Sequence, residues 1–257
     1  CALPIWLEAG VRSTATAHLV EAADVRSWLP RRAADAHKWH HVVRAVAGSS
    51  GMPGAARLLC GGALRCGSGM VHLSSPDGVV DDVPDEVVQV PMPVGATTLV
   101  PTVLDTLGRF GSLVVGPGLG RDAAVMAAVR ELVERSTVPT VVDGDGLFAL
   151  ADSGVPIARR ADVLVTPHDG EFALLTGSPP GPDRLAAARE LAAHLDVTVL
   201  LKGPVTVVAS PGGASLVVDE GDRRLATAGS GDVLAGLAGA LLAQGLEPFT
   251  EIGRAHV

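Results

Sequence analysis

Gly229-Ser230-Gly231-Asp232-Val233-Leu234-Ala235-Gly236-Leu237-Ala238-Gly239-Ala240-Leu241-Leu242-Ala243 puts two glycines and an aspartate ahead of an almost unbroken apolar run. The glycines permit a tight backbone curl that other residues resist. The apolar run predicts a buried helix starting near Gly231. The amino end of a helix presents unpaired N–H groups and the positive end of the macrodipole, so it attracts phosphate. An aspartate there would repel the anion, unless its carboxylate faces a hydroxyl that must lose a proton while the amides hold a phosphoryl group. That layout suits phosphoryl transfer. Asp is also a good helix cap, and an isolated G-x-G-D supports capping equally well.

Upstream of this stretch, strand and helix patterns alternate from His37 onward. Strands are predicted over Val42–Ala47, Met70–Ser74, Glu86–Val90, Leu113–Val115, Thr140–Val142, Asp162–Val165, Thr198–Leu201, Val205–Ala209 and Ser215–Val218. Helices are predicted over Ala55–Arg65, Thr98–Leu107, Ala123–Arg135, Glu171–Leu175 and Arg184–Leu195. Pro211-Gly212-Gly213 reads as a hairpin turn. Continuous apolar strands alternating with helices predict an α/β fold, a mostly parallel sheet with helices on both faces. In such sheets ligands bind beyond the carboxyl ends of the strands, where the glycine-rich loops of this sequence fall.

The chain has 257 residues, is 47% hydrophobic and carries a formal net charge of −8. That supports a large single core and argues against nucleic-acid or polybasic membrane binding. The apolar run from Val233 to Ala243 is too short to span a bilayer. Three cysteines, Cys1, Cys60 and Cys66, form no C-x-x-C pair and no disulfide framework, which fits a reducing cytoplasm.

The ends of the chain read differently. DNA encoding Cys1–Ile5 and DNA encoding Ile252–His256 with part of Glu251 can be written as reverse complements that resemble a sequencing-library adapter. Residues 1–32 are therefore taken as an adapter-derived start plus a linker or peripheral helix. Residues 33–250 form one incomplete catalytic domain, and residues 251–257 an adapter-derived tail. Both flanks are set aside from fold reasoning.

Four further motifs follow strands. Gly116-Pro117-Gly118-Leu119-Gly120 allows close backbone approach to a ligand, or makes an ordinary strand–helix turn. With Arg121 next, it does not complete a dinucleotide fingerprint. Thr166-Pro167-His168-Asp169-Gly170-Glu171 offers an imidazole as a donor to substrate, or simply caps the next helix. No spacing here suits a dedicated zinc site. Lys202-Gly203 lies at a strand end near a possible nucleotide, or is a solvated charge. His37-Lys38 with His40-His41 reads as surface or substrate rim rather than a metal site.

These motifs occur in order with Asp35-Ala36-His37-Lys38, Val46-Ala47-Gly48-Ser49, Gly54-Ala55-Ala56, Gly67-Ser68-Gly69, Val142-Asp143-Gly144-Asp145-Gly146-Leu147 and Leu201-Lys202-Gly203. As an ordered set, from about Asp24 to Thr250, they resemble the ADP/ATP-dependent NAD(P)H-hydrate dehydratases. The resemblance implies a ribokinase-like three-layer sandwich, truncated here at its C-terminal end. It implies phosphorylation of the ring hydroxyl of (6S)-NADH or NADPH hydrate, with ADP or ATP and Mg2+, followed by elimination of phosphate. By position, Asp232 would be the catalytic base and would also touch substrate. The amides of Gly229 and Gly231 would stabilise the transferring phosphoryl group. Lys202, Gly203, Pro204, Val205 and Thr206 would line the nucleotide. Ala56, Gly120 and His168 would contact the hydrated dinucleotide. Asp143 and Asp145 receive no role. The resemblance also implies a homo-oligomer, and fusion to or pairing with an NAD(P)H-hydrate epimerase.

The chain departs from the family pattern at Trp39-His40-His41, where glycine commonly follows His-Lys, and at Thr227, where asparagine is common. Arg44 interrupts an otherwise apolar strand. Two rivals remain: a small-molecule kinase of the same fold, of the hydroxymethylpyrimidine or thiazole type, and a non-catalytic nucleotide-binding module. Thr-Pro-His-x-Gly-Glu together with Gly-Pro-Gly-Leu-Gly favours the dehydratase over the first, and Asp232 argues against the second.

Overall fold

The computed structural model describes residues 16–92, 98–151 and 161–249. Its strands are β1 (Ala17–Leu19), β2 (Val42–Val46), β3 (Met70–Ser74), β4 (Val87–Gln89), β5 (Ser112–Val115), β6 (Thr140–Val142), β7 (Val163–Val165), β8 (Thr198–Leu201), β9 (Thr206–Ala209) and β10 (Ser215–Val218). Its helices are α1 (Ala22–Trp28), α2 (Pro53–Arg65), α3 (Leu99–Leu104), α4 (Ala123–Arg135), α5 (Asp145–Ala151), α6 (Asp169–Thr176), α7 (Arg184–Leu195) and α8 (Ser230–Ala243). The sheet order is β1-β10-β9-β8-β7-β6-β5-β2-β3-β4. Only the β8–β9 and β9–β10 pairs run antiparallel.

The central strands β2 and β5–β9 are buried on both faces, and their side chains alternate between two cores. Leu113 and Val115 of β5 enter one core with α3, α4 and α7, while Val114 enters the other with α2 and α8. β8 divides in the same way, with Val199 and Leu201 on one side and Leu200 on the other. The result is the predicted three-layer sandwich. α8 reaches both α2 and the sheet because it is small-surfaced: a Cβ at Gly236 would collide with the Leu59 carbonyl of α2. A Cβ at Gly62 would lie 2.7 Å from the Val233 carbonyl oxygen. This close approach fixes where the amino end of α8 emerges.

Arg44 is 1% exposed within β2. Its guanidinium donates to the His72 carbonyl at 2.9 Å and to Ser74 Oγ at 2.6 Å, both on the neighbouring β3. Burial pushes its pKa down to about 10, which leaves it charged at neutral pH. The strand tolerates the interruption because β3 supplies acceptors for the charge.

Three expectations change, the first being α5 (Asp145–Ala151), a helix that was not expected. Part of the presumed linker, Ala17–Leu19, is a parallel edge strand on β10, anchored where Arg189 Nη2 donates to the Thr16 carbonyl and Arg189 Nε to Ser215 Oγ. Three exposed residues carry too short a pattern to signal a strand. The helix expected over Thr98–Leu107 ends at Leu104, and a separate 3-10 turn covers Leu107–Arg109. The adapter reading of both termini lies outside the described residues. Cys60 and Cys66 are free. Among the described residues, no helix is long and apolar enough to cross a membrane.

Candidate active site

Loops leaving the carboxyl ends of β2, β5 and β6, together with the starts of α2, α6 and α8, enclose an open cleft of about 490 Å³. Met52, Gly118, Arg121, Asp145, Phe148, Glu171, Gly229 and Asp232 are among the residues on its wall. Gly229 is the residue before α8, at φ 94°, where a Cβ would strike Leu58. The left-handed backbone is what requires glycine there, since the Leu58 side chain could shift aside. No side chain caps this helix; its first amide, that of Ser230, donates to the Thr227 carbonyl at 3.3 Å, which leaves the Gly231 amide to an anion. Asp232 is the third helical residue, facing the cleft, and does not serve as the cap. Burial, then the nearby Asp143 charge, pushes its pKa up to about 6; Lys202 pulls the other way, and Asp145 and Glu171 add to the rise.

Behind Asp232 lies a buried charge network. Asp143, at the end of β6, is 2% exposed. Its Oδ1 accepts from Lys202 Nζ at 2.8 Å and from Thr166 Oγ1 at 2.6 Å. Lys202 Nζ also lies 3.5 Å from Glu171 Oε2. Burial alone would lower the Lys202 pKa, but the charges of Asp143 and Glu171 outweigh it and leave it raised. The network abuts the start of α8, since a Cβ built at Gly231 would sit 3.4 Å from Lys202 Nζ and 3.8 Å from Asp143 Oδ2. Lys202 is therefore a committed counter-ion and not a solvated charge.

His168 both caps and donates. Its Nδ1 accepts from the Gly170 and Glu171 amides at 3.0 and 3.1 Å, while Glu171 Oε2 accepts from the His168 amide at 2.8 Å. These bonds close a capping box on α6. They also assign the ring proton to Nε2, on an imidazole whose side chain is 60% exposed. The remaining sequence-predicted positions divide. The Gly120 amide, at the turn before α4, donates to Asp145 Oδ2 at 3.0 Å. Ala56 is fully buried in α2 and its side chain belongs to the core, so it reaches the cleft through no side-chain contact. Gly203, Pro204 and Val205 form the β8–β9 connection, with Val205 37% exposed, whereas Thr206 heads β9 and is buried.

Sequence reasoning left Asp145 and Arg121 without roles. Asp145 Oδ1 accepts from Arg121 Nε at 3.1 Å, and the Arg121 guanidinium lies 3.4 Å from the centroid of the Phe148 ring. Arg184 was also missed. It donates to Asp169 Oδ1 at 2.7 Å and to the Lys202 carbonyl at 2.8 Å, which ties the loop after β8 to the start of α6. The carboxylate signal at Asp143-Gly144-Asp145 was visible in the sequence, but its partners come from other strands. His37, His40 and His41 precede β2, at the amino ends of the strands and so at the end of the sheet opposite the cleft, with the His37 and His40 rings 3.8 Å apart. Their substrate-rim reading fails on that placement, and the surface reading stands.

Among the described residues, no three His, Cys, Asp or Glu side chains converge as a metal cage. A cation carried on phosphates needs only one or two protein carboxylates. Asp143, whose Oδ2 faces the start of α8, satisfies that requirement.

The profile of the Carb_kinase family, described as NAD(P)H-hydrate dehydratase, matches residues 43–255. The bifunctional NAD(P)H-hydrate repair enzyme Nnr of Mycobacterium tuberculosis is 46% identical over 230 residues, covering 88% of this chain and 46% of the relative. The chain thus spans about half the length of that curated relative. Among solved structures, the ADP/ATP-dependent NAD(P)H-hydrate dehydratase of Bacillus subtilis, co-crystallised with ATP/Mg2+, is 32% identical with a TM-score of 0.78. That match covers 90% of this chain and 83% of the other. A ribokinase-like superfamily protein of Enterococcus faecalis is 22% identical, with a TM-score of 0.79 over 94% of this chain and 85% of the other; it speaks to the fold alone. With the family profile matching most of its length and the sheet, loops and α8 arranged as described, this chain belongs to the NAD(P)H-hydrate dehydratase family.

Proposed function

We propose that this chain dehydrates (6S)-NAD(P)H hydrate, with ADP or ATP as phosphoryl donor and Mg2+ as the accompanying cation. The observation that carries the reading is Asp232, a carboxylate with its pKa raised to about 6, standing at the uncapped amino end of α8 on the wall of the cleft. A base is most useful when its pKa approaches the working pH, because it is then ionised yet still able to hold a proton. Asp232 takes the proton of the ring hydroxyl, and the α8 amides at Gly229 and Gly231 receive the charge of the transferring phosphoryl group. Asp143 would be the protein carboxylate that holds a magnesium ion, which would supply neutralisation of phosphate charge. The Nε2–H of His168 is free to donate to substrate, and Lys202 keeps Asp143 in place beneath the site and orients Glu171 on the cleft wall. The loop from Lys202 to Thr206 lines the nucleotide through its backbone, since the Lys202 ammonium is already engaged. Gly120, held by Asp145, and the start of α2 around Ala56 flank the dinucleotide.

The bifunctional mycobacterial relative supports pairing this activity with an NAD(P)H-hydrate epimerase, fused or separate. Free Cys60 and Cys66 support a reducing cytoplasm as its setting. The test is incubation with hydrated NADH or NADPH, Mg2+ and either ADP or ATP, followed by the return of dihydronicotinamide absorbance. Recovery that requires nucleotide and falls by about 10²–10⁴-fold in Asp232→Asn is the expected result. A folded, nucleotide-binding protein that phosphorylates some other small alcohol and leaves the hydrates untouched would make it a small-molecule kinase instead.

A further inference from the structure

A hydrated dihydropyridine carries a hydroxyl on one ring carbon and an added hydrogen on the next. Restoring the double bond therefore removes two protons at two different moments. The first leaves the hydroxyl as its oxygen attacks the terminal phosphorus of the nucleotide, whose bond to the bridging oxygen breaks as that electron pair departs with the shortened nucleotide. The second leaves the neighbouring carbon: its C–H electron pair becomes the new C=C bond, while the C–O bond breaks and its pair departs with phosphate. Asp232 already holds the first proton when the second must go.

The other titratable groups around the cleft are mostly committed. Asp143 is 2% exposed and bonded to Lys202 and Thr166. Both Asp145 oxygens are taken, one by the Gly120 amide and one by Arg121. The acceptor nitrogen of His168 is used by two amides, so the ring offers only an N–H. Glu171 differs. Its Oε2 is held by the His168 amide at 2.8 Å and lies 3.5 Å from Lys202 Nζ, which orients the carboxylate. Its Oε1 has His168 Nε2 at 3.6 Å, beyond hydrogen-bond reach, and the residue lies on the cleft wall with Asp232.

We infer that Glu171 is the second base, taking the carbon-bound proton as phosphate leaves. The inference rests on the dehydratase reading above. It divides one active site into a phosphorylating carboxylate on α8 and an eliminating carboxylate on α6, and both protons return to solvent after release of product.

The experiment uses hydrated NADPH, ATP and Mg2+ with two simultaneous readouts, ADP release by chromatography and return of NADPH absorbance. Glu171→Gln preserves the capping box, since Gln serves at that position as well as Glu. The expected result is near-normal ADP release in the first turnover, with NADPH recovery slowed by about 10²–10⁴-fold and a phosphorylated dinucleotide accumulating. Asp232→Asn should lose both readouts together. In Glu171→Ala, added formate should restore NADPH formation in proportion to its concentration, which a merely structural residue would not permit. Loss of ADP release and NADPH recovery in the same ratio in Glu171→Gln, or unchanged recovery, overturns the assignment. A wild-type chain that releases no ADP with the hydrate overturns the dehydratase reading instead.

Discussion

Replacing Asp232 by Asn should make the protein more stable while removing its activity. The folded-state pKa of Asp232 is about 6, against an ordinary value of 3.8. A carboxyl whose pKa is raised by folding is easier to ionise in the unfolded chain, so its charge opposes folding. Below about pH 3.8 the group is protonated in both states and contributes nothing. As pH rises toward about 6 the unfolded chain ionises first and stability falls; above that the penalty is constant. At about 1.4 kcal/mol per pH unit the full penalty is about 3 kcal/mol, and solvent reaching the partly exposed carboxylate reduces it to about 1–3 kcal/mol. Asn keeps the shape and polarity without the charge, so it should recover that amount. The assay is urea unfolding of both proteins near neutral pH and near pH 4. The midpoint should rise by roughly 0.5–1 M at neutral pH. The gain should shrink to about half a kcal/mol or less near pH 4. An Asn variant no more stable than wild type at neutral pH, or equally stabilised at both, would refute the electrostatic account of this site.

The same pKa sets the acid limb of activity: kcat/KM for the hydrate should fall about tenfold for each unit below pH 6, and a limb near pH 4 would remove Asp232 as the titrating base. Lys202→Met leaves Asp143 buried without its cation and should cost about 3–5 kcal/mol in unfolding experiments. Where that variant folds, the acid limb should move to higher pH, because Lys202 is the group that pulls the Asp232 pKa down. Gly236→Ala drives a methyl group against the Leu59 carbonyl. It should cost about 1–3 kcal/mol and lower the melting temperature without changing the nucleotide requirement. Chelating Mg2+ should stop turnover while leaving the melting temperature of the nucleotide-free protein unchanged, since among the described residues no protein cage is built for the ion.

What the sequence revealed followed the range of the interactions. Met70–Ser74, Ala123–Arg135 and Arg184–Leu195 appear at their predicted bounds, because apolar period and turn residues act within a few positions. β1 was missed because three exposed residues are a strand only by virtue of β10, which lies nearly 200 positions on in the sequence. Within the site, Asp232 and the glycines of the α8 start stood out because their chemistry is local to one loop. Asp143 was visible but mute. Its partners Thr166 and Lys202 follow other strands, and only the parallel sheet brings those strand ends together. Arg44 was marked as an anomaly for the same reason, its acceptors lying on β3. His168 shows the converse: both readings of its motif are realised, because capping fixes the tautomer that leaves a donor outward.

The charge arrangement explains why the packing beneath the site is so close. Asp143 and Glu171 pair with the half-buried Lys202, and Asp232 stands near enough to Asp143, Asp145 and Glu171 to feel their charge; a fold selected for stability alone would not place them there. Lys202 neutralises the two deepest, Asp143 and Glu171, which leaves Asp232 with residual repulsion and partial burial. Those two influences raise its pKa without help from any direct hydrogen bond to the neutral form. A closer ammonium would return Asp232 toward an ordinary carboxylate, too weak a base to accept a hydroxyl proton at neutral pH. Removal of the ammonium would leave the buried carboxylates unpaired and threaten the fold. The α2–α8 contact, where glycines let the helix backbones meet, holds the amino end of α8 against that repulsion. Loosening this contact should therefore let Asp232 relax outward and its pKa fall, so the stability of the helix pair and the basicity of the carboxylate are coupled through one packed interface.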